Sequence, residues 1–208
     1  MVDDIVKFFV LFFVVVEPLT LVPVFAALTE GATPEFRRHV AWKAVLVAGG
    51  ICTLFAIGGA QFLRFMGISL DAFRIGGGIL LFLIALDMVF ARISAARATT
   101  TTEEDESRHR QDISVFPLAF PLITGPGAMA TVILAFGETG KSWIVYAGQF
   151  LAMLIVLAIA LILMRLTTRV MRVLGVTGGN VVSRLSGVIL AALAVQFIID
   201  GLRGAFVN

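Results

Sequence analysis

The stretch FPLAFPLITGPGAMATVILAF, residues 116–136, decides the architecture. It is apolar enough for hydrocarbon, yet Pro117, Pro121, Gly125, Pro126 and Gly127 fall within eleven residues of it. A proline removes a backbone donor and clashes with the carbonyl four residues back, so no continuous helix runs through this stretch. VVVEPLTLVPVFAALTEG, residues 14–31, carries the same spacing: Pro18 and Pro23 recur as Pro121 and Pro126, both displaced by 103 residues. Within a bilayer, backbone groups released by such breaks persist only where protein or a watery cavity satisfies them. Broken spans in corresponding places of two halves mark a solute site near the midplane. The two interruptions are therefore expected to face one another across a polar pocket.

Composition places the chain in lipid. Of 208 residues, 59% are hydrophobic and 14% charged, far from the balance of a soluble domain. The apolar runs suit helices of about 20 residues and lack the alternation of barrel strands. Six spans are expected, at 5–28, 40–63, 69–90, 113–136, 143–164 and 183–203. The polar stretch ATTTTEEDESRHRQD separates a first three-helix unit, 1–98, from a second, 113–208, through a flexible cytoplasmic loop at 99–112. Arginine precedes a glycine-bearing run in the third span of each unit, Arg74 in RIGGGILLFLIAL and Arg184 in RLSGVILAALAVQ. An odd number of spans per unit inverts the second copy. The expected fold is an all-α membrane protein of six transmembrane helices in two inverted three-helix repeats, with helices 1 and 4 broken by proline and glycine.

Ten Lys and Arg residues follow spans 1, 3 and 5, against five on the opposite side (Lys7, Arg64, Arg74, Lys141 and Arg203), with Arg184 assigned to a helix start. The positive-inside rule then puts both termini outside the cytoplasm. A pI near 9.1 with a net charge of only +2 and scattered basic residues reflects topology, and no nucleic-acid partner is expected. Asp3 and Asp4 stand where a secretory signal would be basic, so the first apolar run is read as a retained helix. Trp42, Trp143 and Tyr146 lie by span starts, at the interface.

The candidate solute-binding residues are Glu17, Pro18, Thr20 and Pro23 in the first break, and Thr124, Gly125, Pro126 and Gly127 in the second. Carbonyls from Glu17 to Thr20 are expected to lose helical partners. Glu17 reads either as a proton carrier or ammonium ligand, or as a neutral carboxyl bonded across helices. A half-helix beginning after Gly127 would aim its first amides at an anionic group. The competing reading of each break is a kink or tight turn. Gly76, Gly77 and Gly78 form a face for close helix packing, and Gly58 and Gly59 read likewise. Arg74, Asp87, Arg184 and Asp200 are candidates for ion pairing, snorkelling or gating, and Gln196 for an interhelical hydrogen bond. The lone cysteine, Cys52, forms no intramolecular disulfide, both histidines lie in polar stretches, and no P-loop occurs. No metal, cofactor or enzymatic chemistry is expected.

PLTLVPVFAALTEG, GISLDAFRIGGGILLFLIALDMV, PLAFPLITGPGAMATVI and RLSGVILAALAVQFIIDGL together make the chain resemble the MarC family, the small neutral amino acid transporter (SnatA-like) family. The resemblance implies a six-helix protein of the bacterial inner membrane, in the LysE-type exporter group, handling small neutral amino acids such as glycine or alanine; with two inverted units, the expected mode is outward movement by alternating access. Many relatives carry Asn or Asp before the first proline, where this chain has Glu17. The expected partners are the bilayer, a small zwitterionic solute and, through Glu17, protons as a coupling ion, with homo-oligomerisation left open. The alternatives are export of another small metabolite or ion, or a non-transporting membrane scaffold.

Overall fold

The computed structural model describes residues 1–90 and 113–206, with the backbone alone described at 174–177, 179 and 180. The expected flexible loop at 99–112 lies outside the described residues, as do four of the basic residues counted for topology. Every element among the described residues is helical: α1 (Val2–Val16), α2 (Leu21–Leu28), α3 (Pro34–Phe65), α4 (Leu70–Val89), α5 (Ser114–Ile123), α6 (Pro126–Gly137), α7 (Trp143–Arg165) and α8 (Thr167–Phe206). Five stretches are long and apolar enough to cross a membrane, and α5 with α6 forms a sixth, bent by 61°.

Local chemistry sets the boundaries. Thr33 caps α3 by accepting the Phe36 N–H at 3.3 Å, and Pro34 takes the first helical position, where a missing donor is harmless. The helix therefore starts six residues before the expected span. Arg37 on its first turns donates from Nε (3.1 Å) and Nη2 (2.9 Å) to the Thr29 carbonyl, closing the end of α2 with a cation where the helix dipole favours one. Ser69 caps α4 through the Ala72 N–H at 3.1 Å. Arg165 lies 5.7 Å over the Trp42 ring, joining the ends of α7 and α3.

The connection expected between the fifth and sixth spans is instead helical. Only Leu166 separates α7 from α8, whose 40 residues exceed one hydrocarbon thickness; the membrane-crossing part is Val181–Phe206. Gly175, Gly178 and Gly179 weaken the helical reading of this segment by about 1 kcal/mol each, but it contains no proline to stop the helix.

α4 and α8 pack antiparallel along a seam of small residues. A Cβ on Gly78 would lie 2.9 Å from the Ala194 carbonyl oxygen and 2.8 Å from Ile198 Cγ1. On the other helix, one on Gly187 would meet Met88 and the Ala85 carbonyl, one on Gly201 the Asp71 carbonyl, and one on Gly204 the Asp71 carboxylate. Gly77 turns to α6, where Ala130 Cβ would be 3.1 Å away, and Gly59 to Ile133. Gly76 and Gly58 depart from the expected packing role, since nothing lies within 4 Å of either added Cβ. Gly78→Leu is expected to force α4 from α8 and cost about 3 kcal/mol or more, against under about 0.5 kcal/mol for Gly76→Leu. Thermal unfolding of both variants in detergent checks this difference.

The remaining helices interlock across the two halves. α3 packs on α5 and α6, and α7 packs on α1 and α2. The two interrupted spans, residues 2–28 and the bent α5–α6 pair, are the enclosed ones, whereas Val181–Phe206 exposes Leu185, Val188, Ile189 and Leu202. The broken first helix runs through the core, its own Phe12, Val16, Val22 and Phe25 all nearly inaccessible.

Candidate solute site at the broken helices

Glu17 ends α1 in the left-handed region (φ 49°, ψ 61°), with its N–H still bonded to the Phe13 carbonyl at 3.0 Å. Among the described residues it is the one non-glycine with positive φ. The carbonyl accounting differs from the sequence expectation. Glu17's carbonyl accepts from Thr20 (3.0 Å) and Leu21 (3.3 Å), and Leu19's from Val22 (3.3 Å). The interrupted register lies one turn earlier: the donor that would serve Val14 is Pro18, which has none, and the donor that would serve Val16 is Thr20, which turns to Glu17 instead. Glu17 and Pro18 are buried, Thr20 half-buried. Pro23 does not contribute to the break. It is the third residue of α2, where its missing N–H has no helical acceptor to satisfy.

The second break is built differently. Phe116 (φ −128°, ψ 126°) and Phe120 (φ −130°, ψ 130°) are extended because each precedes a proline, whose ring disfavours the helical region for its predecessor. Both X-Pro bonds are cis. α5 is a wide coil, closed at its end by the Thr124 N–H on the Ala119 carbonyl at 2.9 Å, five residues back. Gly125 then caps α6, and a Cβ there would stand 2.6 Å from the Pro121 carbonyl oxygen. α6 starts at Pro126, earlier than the expected start after Gly127, and the proline's fixed φ suits that position.

The fold brings the two breaks together. A Cβ on Gly127 would meet Val15 Cγ1 at 3.1 Å, with Leu81 Cδ2 at 2.7 Å and Ile84 Cδ1 at 3.5 Å. The carbonyl end of α1 thus lies beside the amide end of α6, and helix dipoles place partial negative charge on the former and positive on the latter. The Gly127 and Ala128 amides are the donors available there, because Pro126 has none and Met129 bonds Gly125 at 3.1 Å. The threonine hydroxyls donate to their own helices, Thr124 to Ala119 (2.7 Å) and Thr131 to Gly127 (2.9 Å).

Other expected residues are dispersed. Arg74 pairs with Glu138 and lies 3.7 Å from Asp71, and Glu138 also takes Lys141 at 2.8 Å, so a charge network joins α4 to the α6–α7 connection. Gln196 is not interhelical: its Nε2 donates to Asp200 on the next turn of α8 at 2.8 Å, which gives Asp200 an amide partner in place of the arginine considered. Arg184 is exposed on α8 and Asp87 is half-buried on α4, both away from the breaks in sequence and element. Glu138 and Gln149 escaped the sequence reading. Gln149 carried the signal that singled out Gln196, a neutral amide inside an apolar span.

Long apolar helices around an enclosed, broken pair define a multi-pass helical membrane protein. The chain belongs to the MarC family: the profile described as MarC family integral membrane protein matches residues 2–206. It is similar to a UPF0056 membrane protein of Aquifex aeolicus (39% identity, covering 95% of this chain and 92% of the relative). UPF0056 membrane protein YvbG of Bacillus subtilis shares 36% identity, covering 99% and 97%, and YhcE of Escherichia coli 35%, covering 96% and 92%. No solved structure matches.

Proposed function

We propose that this protein is a secondary transporter, not an enzyme, that exports small neutral amino acids such as glycine or alanine across the bacterial inner membrane by alternating access. The observation that carries this reading is the meeting of α1's carbonyl end, bearing buried Glu17, with α6's amide end at Gly127. A zwitterion has the matching pair of charges on adjacent atoms: its carboxylate suits the Gly127 and Ala128 amides, its ammonium the α1 carbonyls and Glu17. Glu17 is also the residue through which a proton couples. The reciprocal packing of α3 on the second broken pair and α7 on the first, around antiparallel α4 and α8, supports an inverted repeat that rocks about the site. Basic residues assign the Arg37 end to the cytoplasm, and both termini to the other side.

Radiolabelled alanine or glycine in proteoliposomes tests the reading. Saturable flux that accelerates under a pH gradient is the expected result, and absence of flux with or without the gradient overturns it.

A further inference from the structure

Resting on the transport reading, we propose that Gln149 is a second solute-contacting residue, an outer polar station whose amide oxygen accepts from the ammonium group of the passing amino acid. Gln149 is 2% exposed, and its Oε1 is buried with no hydrogen-bond partner among the described residues. An amide oxygen in that condition costs free energy that a leucine of similar size would not, and a donor carried by a passing solute offsets that cost.

Its position suits a route to the break. α1 and α7 run parallel, with Met1 beside Ser142 and Ile5 beside Gly148. Gln149 is therefore level with the second turn of α1, roughly 16 Å from Glu17 at 1.5 Å rise per residue. Tyr146, one turn nearer the α7 start, shares its helix face. Its hydroxyl donates to the Glu138 carbonyl, its ring stacks on Phe136 at 6.2 Å, and Phe8 meets Phe136 edge-on at 6.0 Å. Above this aromatic layer the Glu138 carboxylate ties Arg74 to Lys141. In this proposal the ion pairs and rings at this end of α7 close the route to Gln149 and part to admit solute.

Gln149→Leu separates this role from a structural one. The expected result is an unchanged or higher unfolding temperature together with a half-saturating alanine concentration raised about tenfold, the worth of one hydrogen bond. A lowered unfolding temperature with unaltered flux would overturn the proposal. Independently of flux, Gln149→Cys in a Cys52→Ala background, the native thiol being buried, is expected to react with 2-aminoethyl methanethiosulfonate added outside. Alanine should slow that reaction, and Glu138→Gln should accelerate it several-fold. A thiol at 149 inert in both backgrounds rejects the station, whereas reactivity without alanine flux rejects the assigned cargo.

Discussion

Replacing Glu17 with asparagine is expected to cut alanine flux roughly 100-fold, in keeping with the 2–5 kcal/mol typical of losing one member of a desolvated charge pair. The same variant should be more stable than Glu17→Gln by about 1 kcal/mol. Both substitutions remove the carboxylate, so they share its electrostatic loss. They differ in backbone: residue 17 sits at φ 49°, where asparagine is tolerated and longer side chains are strained. The native glutamate therefore carries a conformational cost at the point where the helix breaks, as strained residues at functional sites do. Flux in proteoliposomes paired with unfolding in detergent reads both quantities. Equal stability of the two variants would remove the strain argument, and undiminished flux would remove the carboxylate from the mechanism.

The second large effect is expected at Gly125. Gly125→Ala should destabilise by about 3 kcal/mol, and Gly127→Ala by only about 1 kcal/mol, although both added methyls meet atoms closer than van der Waals contact. The difference lies in what yields. At Gly125 the obstacle is the Pro121 carbonyl oxygen at 2.6 Å, fixed within a proline-bounded coil. At Gly127 the shortest contact is the far end of the Leu81 side chain at 2.7 Å, which can change rotamer. Gly127→Leu exceeds that tolerance, because Val15, Leu81 and Ile84 are themselves buried. It should separate the two breaks and abolish flux. Comparing unfolding midpoints of the two alanine variants checks the order.

The helix breaks themselves were legible in the chain, and the failures of that reading have identifiable causes. Proline acts through its own missing donor and through its predecessor's backbone, so Pro18, Pro117 and Pro121 announce breaks in any context. Pro23 and Pro126 obey the same rule with the opposite outcome, since both occupy first turns where no acceptor awaits their N–H. Telling these cases apart requires knowing where the helix restarts. The Thr124 hydroxyl looked available as a ligand because sequence does not reveal that it bonds the carbonyl of Ala119, five residues earlier. Gln196 likewise found Asp200 on its own helix. Glu138 drew no attention in a short polar connection until packing delivered Arg74 to it.

Residue chemistry alone determined that this chain lives in lipid, that its apolar stretches are helices, and that the first and fourth are interrupted, because hydropathy and proline act within a few bonds of each residue. Tertiary packing decided that the end of α1 abuts the start of α6, which glycines of α4 and α8 are buried and which face lipid, and that the Gln149 amide oxygen is enclosed without a hydrogen-bond partner among the described residues. Those outcomes depend on which faces meet. Lipid-facing and helix-facing positions are equally apolar in a membrane protein, so composition leaves no mark by which to tell them apart.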